Sequence, residues 1–167
     1  MATHKKNARR VVLGAVLLLG AASSWAQGAP ASAAAQAALQ GTWNVKMTPY
    51  DCGTGVAILP ATFLRRIAFG AGGTLSEANF NPTFQTGQRS NGLGTWERTG
   101  PGTYSAVTEA YVFFTSPRYA RGFQRIDETL ELQDTDHYTG SGRVEFTDEQ
   151  GNVGIKGCFY TVAERQH

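Results

Sequence analysis

Apolar and polar residues alternate along short stretches of this chain, from residue 42 almost to its end. In the first stretch Trp43, Val45 and Met47 share one face, and the residues between them are polar. A period of two residues is typical of a β-strand with one buried face. The pattern predicts eight strands, at residues 42–48, 62–69, 74–80, 94–99, 103–115, 122–133, 137–147 and 153–162.

Turn-forming residues separate these predicted strands, as in Gly70-Ala71-Gly72-Gly73 and Gly100-Pro101-Gly102. Short links favour antiparallel neighbours, because a parallel pair needs a long crossover. Eight such strands in series can close on themselves, which removes exposed sheet edges. We therefore predict an all-β fold with a single antiparallel up-and-down barrel. A sandwich of two sheets shows the same alternation and is the alternative.

The first 26 residues differ from the rest in composition. Four basic residues precede an apolar run at residues 11–20, and small residues follow it up to Ala26. This order predicts a cleaved secretory signal peptide over residues 1–26, with an apolar run shorter than the roughly 20 residues of a membrane span. Residues 27–38 are rich in small side chains and predict a flexible linker, and residues 39–165 form the predicted barrel domain.

Export changes the expected charge and the expected state of the cysteines. All 13 acidic residues but only 11 of the 15 Lys and Arg follow Ala26, so the formal charge is −2 after cleavage. Without a block of Lys and Arg, nucleic acid is not a predicted partner. Cys52 and Cys158 are the only cysteines, and in an exported chain they predict a disulfide. It would join the first strand to the last, which are neighbours in a closed barrel.

Charged side chains fall on strand faces that are otherwise apolar. Glu128 lies between Ile126 and Leu130 in this pattern, and Arg65 alternates with apolar neighbours in the same way. A buried carboxylate must be paired or have a raised pKa. The cluster is therefore either the polar floor of a ligand cavity or an ion pair that is complete without a ligand. The candidate ligand-binding residues of the interior are Arg65, Glu77, Glu109, Tyr111 and Glu128.

The segment Gly41-Thr42-Trp43 at the first strand resembles the G-x-W signature of lipocalins and the wider calycin group. This resemblance implies an eight-stranded barrel that holds small, mostly apolar ligands, with Trp43 at its closed end. A second G-x-W occurs at Gly94-Thr95-Trp96. In outline the chain also resembles the barrel cyclases related to allene oxide cyclase.

The favoured function is that of an exported, periplasmic or secreted protein that binds a small apolar or amphipathic molecule without catalysis. The alternatives are a barrel cyclase or isomerase, in which Glu128 or Arg65 polarises the substrate, and a structural, inhibitor or envelope protein. No nucleophile elbow or metal-ligand spacing occurs, so no catalytic residue, metal or cofactor is predicted. The mature chain has no predicted membrane span. The strand at 103–115 is apolar on both faces near its end, which is consistent with a homo-oligomer.

Overall fold

The computed structural model describes residues 37–58, 62–82, 84–115 and 120–167. The predicted signal peptide at 1–26 and residues 27–36 of the predicted linker lie outside this part of the chain. Eight strands follow one another along it: β1 (Gly41–Tyr50), β2 (Phe63–Phe69), β3 (Thr74–Asn79), β4 (Gly92–Gly100), β5 (Thr103–Val112), β6 (Gly122–Leu132), β7 (His137–Asp148) and β8 (Val153–Arg165).

The eight strands form one closed antiparallel barrel in which each strand pairs with its neighbours in sequence. The barrel closes where β1 pairs with β8, in a register that places Trp43 opposite Arg165 and Tyr50 opposite Cys158. The prediction of a single all-β up-and-down barrel is confirmed, and the sandwich alternative is wrong. Closure gives every strand a neighbouring strand on each side, so the sheet has no edge strand.

A disulfide between Cys52 and Cys158 lies beside this seam, with the two Cα atoms 5.2 Å apart. The predicted pairing of the cysteines is therefore confirmed. The two residues are 106 positions apart in the sequence. A crosslink over a loop of that length stabilises the fold by about 4–5 kcal/mol in the chain-entropy model.

The connections differ between the two ends of the barrel. At one end, called the closed end below, short turns at residues 70–73, 101–102 and 133–136 join the strands. At the other, called the loop-bearing end, the connections include residues 51–62, 80–91 and 113–121. In the connection at residues 80–91, called the 80–91 loop below, Arg89 forms an isolated bridge to Val112 on β5.

The interior contains two separate apolar clusters. The first lies at the closed end and the second, smaller one lies toward the loop-bearing end. The closed-end cluster contains Leu39, Trp43, Val45, Ile67, Phe69, Leu75, Trp96, Tyr104, Ala106, Leu130, Tyr138 and Ala163. The outer cluster contains Met47, Ile126 and Phe159, with Phe63 and Val144 packed against it. Burying apolar side chains of this size contributes about 1.5–3 kcal/mol each.

The predicted inward face of β5 is wrong. Glu109 and Tyr111 lie on the outer surface, where Tyr111 is 56% exposed, and Thr108 and Ala110 are buried instead. The pairing with β6 explains this, because residues directly opposite each other in an antiparallel pair share a face. Ala106 pairs with Glu128 and Thr108 pairs with Ile126, so the inward face of β6 fixes that of β5.

Candidate functional site

A layer of polar side chains separates the two apolar clusters inside the barrel. Along β2, Arg65 lies between Ile67 of the closed-end cluster and Phe63 beside the outer cluster. Along β6, Glu128 lies in the same way between Leu130 and Ile126. Strands that cross both apolar clusters therefore place their charged residues at one level of the barrel.

Arg65 connects two carboxylates across this layer. Its Nε lies 2.6 Å from Glu77 Oε1, and its Nη1 lies 3.0 Å from Glu128 Oε2. All three side chains are at most 2% exposed. Three of the five predicted interior residues, from β2, β3 and β6, are thus in contact, whereas the other two are on the outside.

A second arginine completes the group from a loop. Arg89 lies in the 80–91 loop, and its Nη2 approaches Glu77 Oε2 at 2.6 Å. Its Nε donates a hydrogen bond of 2.5 Å to Gln124 Oε1 on β6. We call Arg65, Glu77, Arg89 and Glu128 the charged cluster; its formal charges sum to zero.

Thr161 on β8 supports the cluster from another strand. Its hydroxyl donates to Glu128 Oε1 at 2.5 Å, and its side chain is buried. Neither Thr161 nor Arg89 was predicted from the sequence. The position of Thr161 between Phe159 and Ala163 on an alternating strand was an available signal. Arg89 follows no strand pattern and had none.

Glycines on β4 and β7 make room for the charged side chains. A Cβ atom on Gly92 would collide with Glu77 Oε2 and with the side chain of Thr108. A Cβ atom on Gly140 would come within 2.6 Å of Thr161 Oγ1 and 2.9 Å of Glu128 Oε1. The polar layer is therefore closely packed. At the points where its carboxylates lie, the neighbouring strands carry glycines, which have no side chain.

The pKa of Glu77 reflects two opposed effects. Burial, the largest single effect, raises the pKa of this carboxyl, but the charges of Arg65 and Arg89 and the hydrogen bonds that they donate together outweigh burial. The pKa of Glu77 consequently lies below its ordinary value. For Arg65, burial lowers the pKa, but the charges of Glu77 and Glu128, with the hydrogen bond to Glu77 and a smaller contribution from Tyr138, together raise it. Both groups are therefore held in their charged forms.

Two polar atoms of this region lack a hydrogen-bond partner among the described residues. They are Nη2 of Arg65 and the hydroxyl of Tyr138, and both are buried. Burial, followed by the charge of Glu128, raises the pKa of Tyr138 well above its ordinary value, so its hydroxyl keeps its proton. The layer therefore contains two free hydrogen-bond donors in a place where such groups are normally paired.

The loop-bearing end of the barrel is aromatic. Phe84 of the 80–91 loop packs against Phe114 and against Phe146 of β7, with ring centroids 6.0 and 6.4 Å apart. Phe146 is buried, as is Met47 of the outer cluster. Beyond the rings, Val56, Ile58 and Phe80 on the connecting segments are each more than half exposed.

At the closed end, Trp43 is fully buried beneath the turn at residues 37–40. Its Nε1 donates to the carbonyl of Leu39 at 2.9 Å, and the Arg165 guanidinium lies 4.2 Å from its ring centroid. Arg165 also donates to the carbonyls of Gln40 and Ala38. Sequence reasoning identified Trp43 but missed Arg165, which joins the last strand to the chain before the first strand.

The outer surface carries a shallow groove of about 460 Å³ across β1, β2 and β8. Leu64, Val162 and Phe80 form apolar parts of its wall, and Lys46 and Arg66 add positive charge. Within the described residues, no group of three His, Cys, Asp or Glu side chains is arranged to hold a metal ion. The same residues contain no helix with the length and hydropathy required to span a membrane.

The fold and the site define this chain as a closed eight-stranded antiparallel barrel with a buried charged cluster. No protein-family model matches it, and no curated protein does. Among solved structures it is similar to the crystal structure of a DUF3598-family protein of unknown function from Nostoc punctiforme. The TM-score is 0.38 with 11% identity, over 77% of this chain and 48% of that one. The matched part of this chain thus covers about half the length of that protein.

Proposed function

We propose that this protein is an exported, lipocalin-like barrel that binds a small amphipathic molecule through its loop-bearing end. The polar part of the molecule would contact the charged cluster, and its apolar part would lie against the outer cluster and the aromatic rings above it. The observation that carries the proposal is a buried layer of charged groups in which two donors lack a hydrogen-bond partner within the described part of the chain.

Stability alone is a poor explanation of such a layer. Replacing a buried ion pair by apolar side chains of similar volume is often neutral or stabilising by about 1–4 kcal/mol. An unpaired buried donor costs about 1–3 kcal/mol more. A barrel selected only to be stable would therefore fill this level with apolar side chains, as it does immediately above and below.

The apolar part of the proposed site comes from residues close to the charged cluster. Ile126 follows Gln124 on the inward face of β6, and Met47 and Phe159 pack against Ile126. A ligand entering between the loops would pass Phe84 and Phe146 and then reach these side chains. Aromatic and aliphatic walls with a few polar groups at the base are typical of small-molecule sites.

Features of the sequence and of the fold support export and the lipocalin-like class. The predicted signal peptide would direct the chain out of the cytoplasm. The disulfide Cys52–Cys158 is of the kind that persists in oxidising compartments. The G-x-W segment at Trp43 and the eight-stranded barrel agree with the resemblance to lipocalins.

A fluorescence titration with N-phenyl-1-naphthylamine, an uncharged apolar probe, tests the proposal. We expect saturable binding to the wild type and loss of binding in Met47→Trp, which enlarges a buried residue near the loop-bearing end. Leu64→Trp adds the same ring on the outer face of the next strand and should bind as the wild type does. Thermal melting establishes that both variants fold. A folded wild type that does not bind the probe, or equal binding by all three proteins, would overturn the proposal.

The isomerase alternative places the same side chains against a substrate. It differs in one measurable respect, because a bound molecule would be released in a changed form. Mass spectrometry of the molecules that organic solvent extracts from the purified protein, before and after incubation, separates the two functions.

A further inference from the structure

The position of Arg89 is unusual for a loop residue. Residues 85–87 of the same loop are exposed, yet the Arg89 side chain is only 3% exposed. Its guanidinium donates three hydrogen bonds, to Glu77, to Gln124 and to the carbonyl of Ser90. A loop arginine therefore lies inside the barrel entrance rather than in solvent, where arginine side chains usually are.

The site that receives this guanidinium is formed by the barrel itself. Glu77 projects from β3 and Gln124 from β6, and Gly92 on β4 leaves the space that the Glu77 carboxylate occupies. Arg65 fixes the other oxygen of Glu77 at 2.6 Å. The two acceptor side chains are thus held by strands, whereas the guanidinium that binds them comes from a segment outside the strands.

Two backbone hydrogen bonds, together with one from the Tyr111 amide to the Ser90 hydroxyl, join this part of the loop to the end of β5. The amide of Ser90 donates to the carbonyl of Tyr111 at 3.0 Å, and the amide of Phe113 donates to the carbonyl of Gln88 at 2.9 Å. The strand pairings that close the barrel do not depend on either bond. Arg89 could therefore leave its position while the barrel stays closed, as loops at binding sites commonly do.

Electrostatics determines what could replace it. Without Arg89, the cluster retains the positive charge of Arg65 and the negative charges of Glu77 and Glu128. A buried excess negative charge is unfavourable unless a cation neutralises it. The same loop also contributes the Phe84 ring, packed on Phe146 of the barrel. The loop therefore supplies a positively charged group and an aromatic ring. An arylalkyl cation combines the same two groups in one molecule.

We propose that the 80–91 loop occupies the site of an amphipathic cation, with Arg89 where the ligand's amine or guanidinium group binds and Phe84 where its ring binds. Glu77 and Gln124 are the groups that recognise the cation. The inference rests on the proposed function only in sharing the same entrance, and it specifies the chemical class of the ligand. The loop must lift for the ligand to enter, so binding to the wild type includes the cost of opening.

Chemical rescue of Arg89→Ala by methylguanidinium tests the cation site. We expect millimolar methylguanidinium to raise the melting temperature of this variant, and calorimetry to show one bound cation. The affinity should fall by about 10- to 100-fold in Arg89→Ala/Glu77→Gln, the ratio expected when a charged hydrogen-bond partner is removed. Arg125→Ala is the matched control, because Arg125 also contacts two carboxylates but on the surface. If Arg89→Ala does not fold, Arg89→Met keeps the aliphatic stem and is used in its place.

Hydrogen exchange on the wild type tests whether a ligand can displace the loop. Excess phenethylammonium should speed exchange at the amides of Ser90 and Phe113, whereas uncharged 2-phenylethanol should not. A folded Arg89 variant that methylguanidinium does not stabilise, equal rescue of Arg125→Ala, or unchanged exchange in the wild type would overturn the inference. Failure of the naphthylamine titration with successful rescue would reject only the proposed function, and the opposite result would reject only the cation site.

Discussion

Two arginines of this barrel each bridge two carboxylates, one inside the barrel and one outside. Arg65 contacts Glu77 and Glu128 with all side chains at most 2% exposed. Arg125 contacts Glu109 and Asp127 at 3.0 and 2.8 Å, with side chains 45–57% exposed. The distances are alike, so the surroundings determine what each group does. Water screens the outer group, whereas the inner one must be satisfied by the protein or by a ligand.

The largest difference should follow removal of the two arginines. Among the described residues, Arg65→Met leaves Glu128 with Thr161 as its hydrogen-bond partner, and the substitution should cost about 3–5 kcal/mol of unfolding free energy. Arg125→Met removes the same groups from the surface and should cost at most about 1 kcal/mol. Urea denaturation monitored by tryptophan fluorescence measures both values. Similar losses in the two variants would contradict the comparison.

A second variant separates loss of charge balance from loss of packing. Arg65→Met/Glu128→Gln removes one positive and one negative charge, so that Glu77 and Arg89 remain as a pair. We expect the double variant to recover much of the stability that Arg65→Met loses. No recovery would mean that the shape of the Arg65 side chain, rather than its charge, is what the layer requires.

The same two groups show how far the sequence predicts this molecule. On β6 the inward residues Ile126, Glu128 and Leu130 alternate with polar ones, so the face of Glu128 was predictable. On β5 the outward face includes the large side chains of Val107 and Tyr111, whereas the inward face includes the small or polar Ala106, Thr108 and Ala110. Alternation alone therefore predicted, wrongly, that Glu109 and Tyr111 point into the barrel. Only pairing with β6 distinguishes the faces, and pairing is a property of the fold.

Two further features, the position of Arg89 and the unpaired hydroxyl of Tyr138, could not be predicted from strand patterns for another reason. Arg89 reaches the interior because the 80–91 loop folds back over the barrel entrance, and no local periodicity encodes such a path. Tyr138 begins an alternating strand next to a turn, but its unpaired hydroxyl follows from what surrounds it in space. The eight strands follow from the local alternation of residues, and the disulfide was predicted from the cysteine count and the expected export. Both predictions were therefore possible from the sequence alone.

A smaller loss should follow crowding of the inner layer. Gly140→Ala places a Cβ atom within 2.6–2.9 Å of Thr161 Oγ1, Glu128 Oε1 and the carbonyl of Thr129. Because overpacking forces neighbours to shift, we expect a cost of about 1–3 kcal/mol. Gly154→Ala on β8 meets only the Phe146 carbonyl at 3.8 Å and should be nearly neutral. Melting temperatures of the two variants measure this, and an equally stable Gly140→Ala would show that the layer has spare room.

The acid dependence of stability should also distinguish inside from outside. The pKa of Glu77 is lower in the folded chain than its ordinary value of 4.5. Its ionised form therefore stabilises the fold above that pH, and this contribution disappears as the pH falls through the folded pKa. The stability difference between wild type and Glu77→Gln should consequently be largest near neutrality and shrink on acidification. Denaturation curves at several pH values measure this stability difference. A difference that does not change with pH would contradict the lowered pKa of Glu77. Glu131→Gln on the outer face is the control.

The smallest expected effect is the response of the outer group to salt. Raising the ionic strength from about 0.01 to 1 M shortens the Debye length from about 30 to 3 Å. The cost of Arg125→Met should therefore fall toward zero, because its partners are in contact with water. The cost of Arg65→Met should barely change, since ions do not enter the packed layer around Glu128. If salt reduced both costs equally, the inner cluster would have to be open to solvent, and the burial of its side chains would not hold in solution.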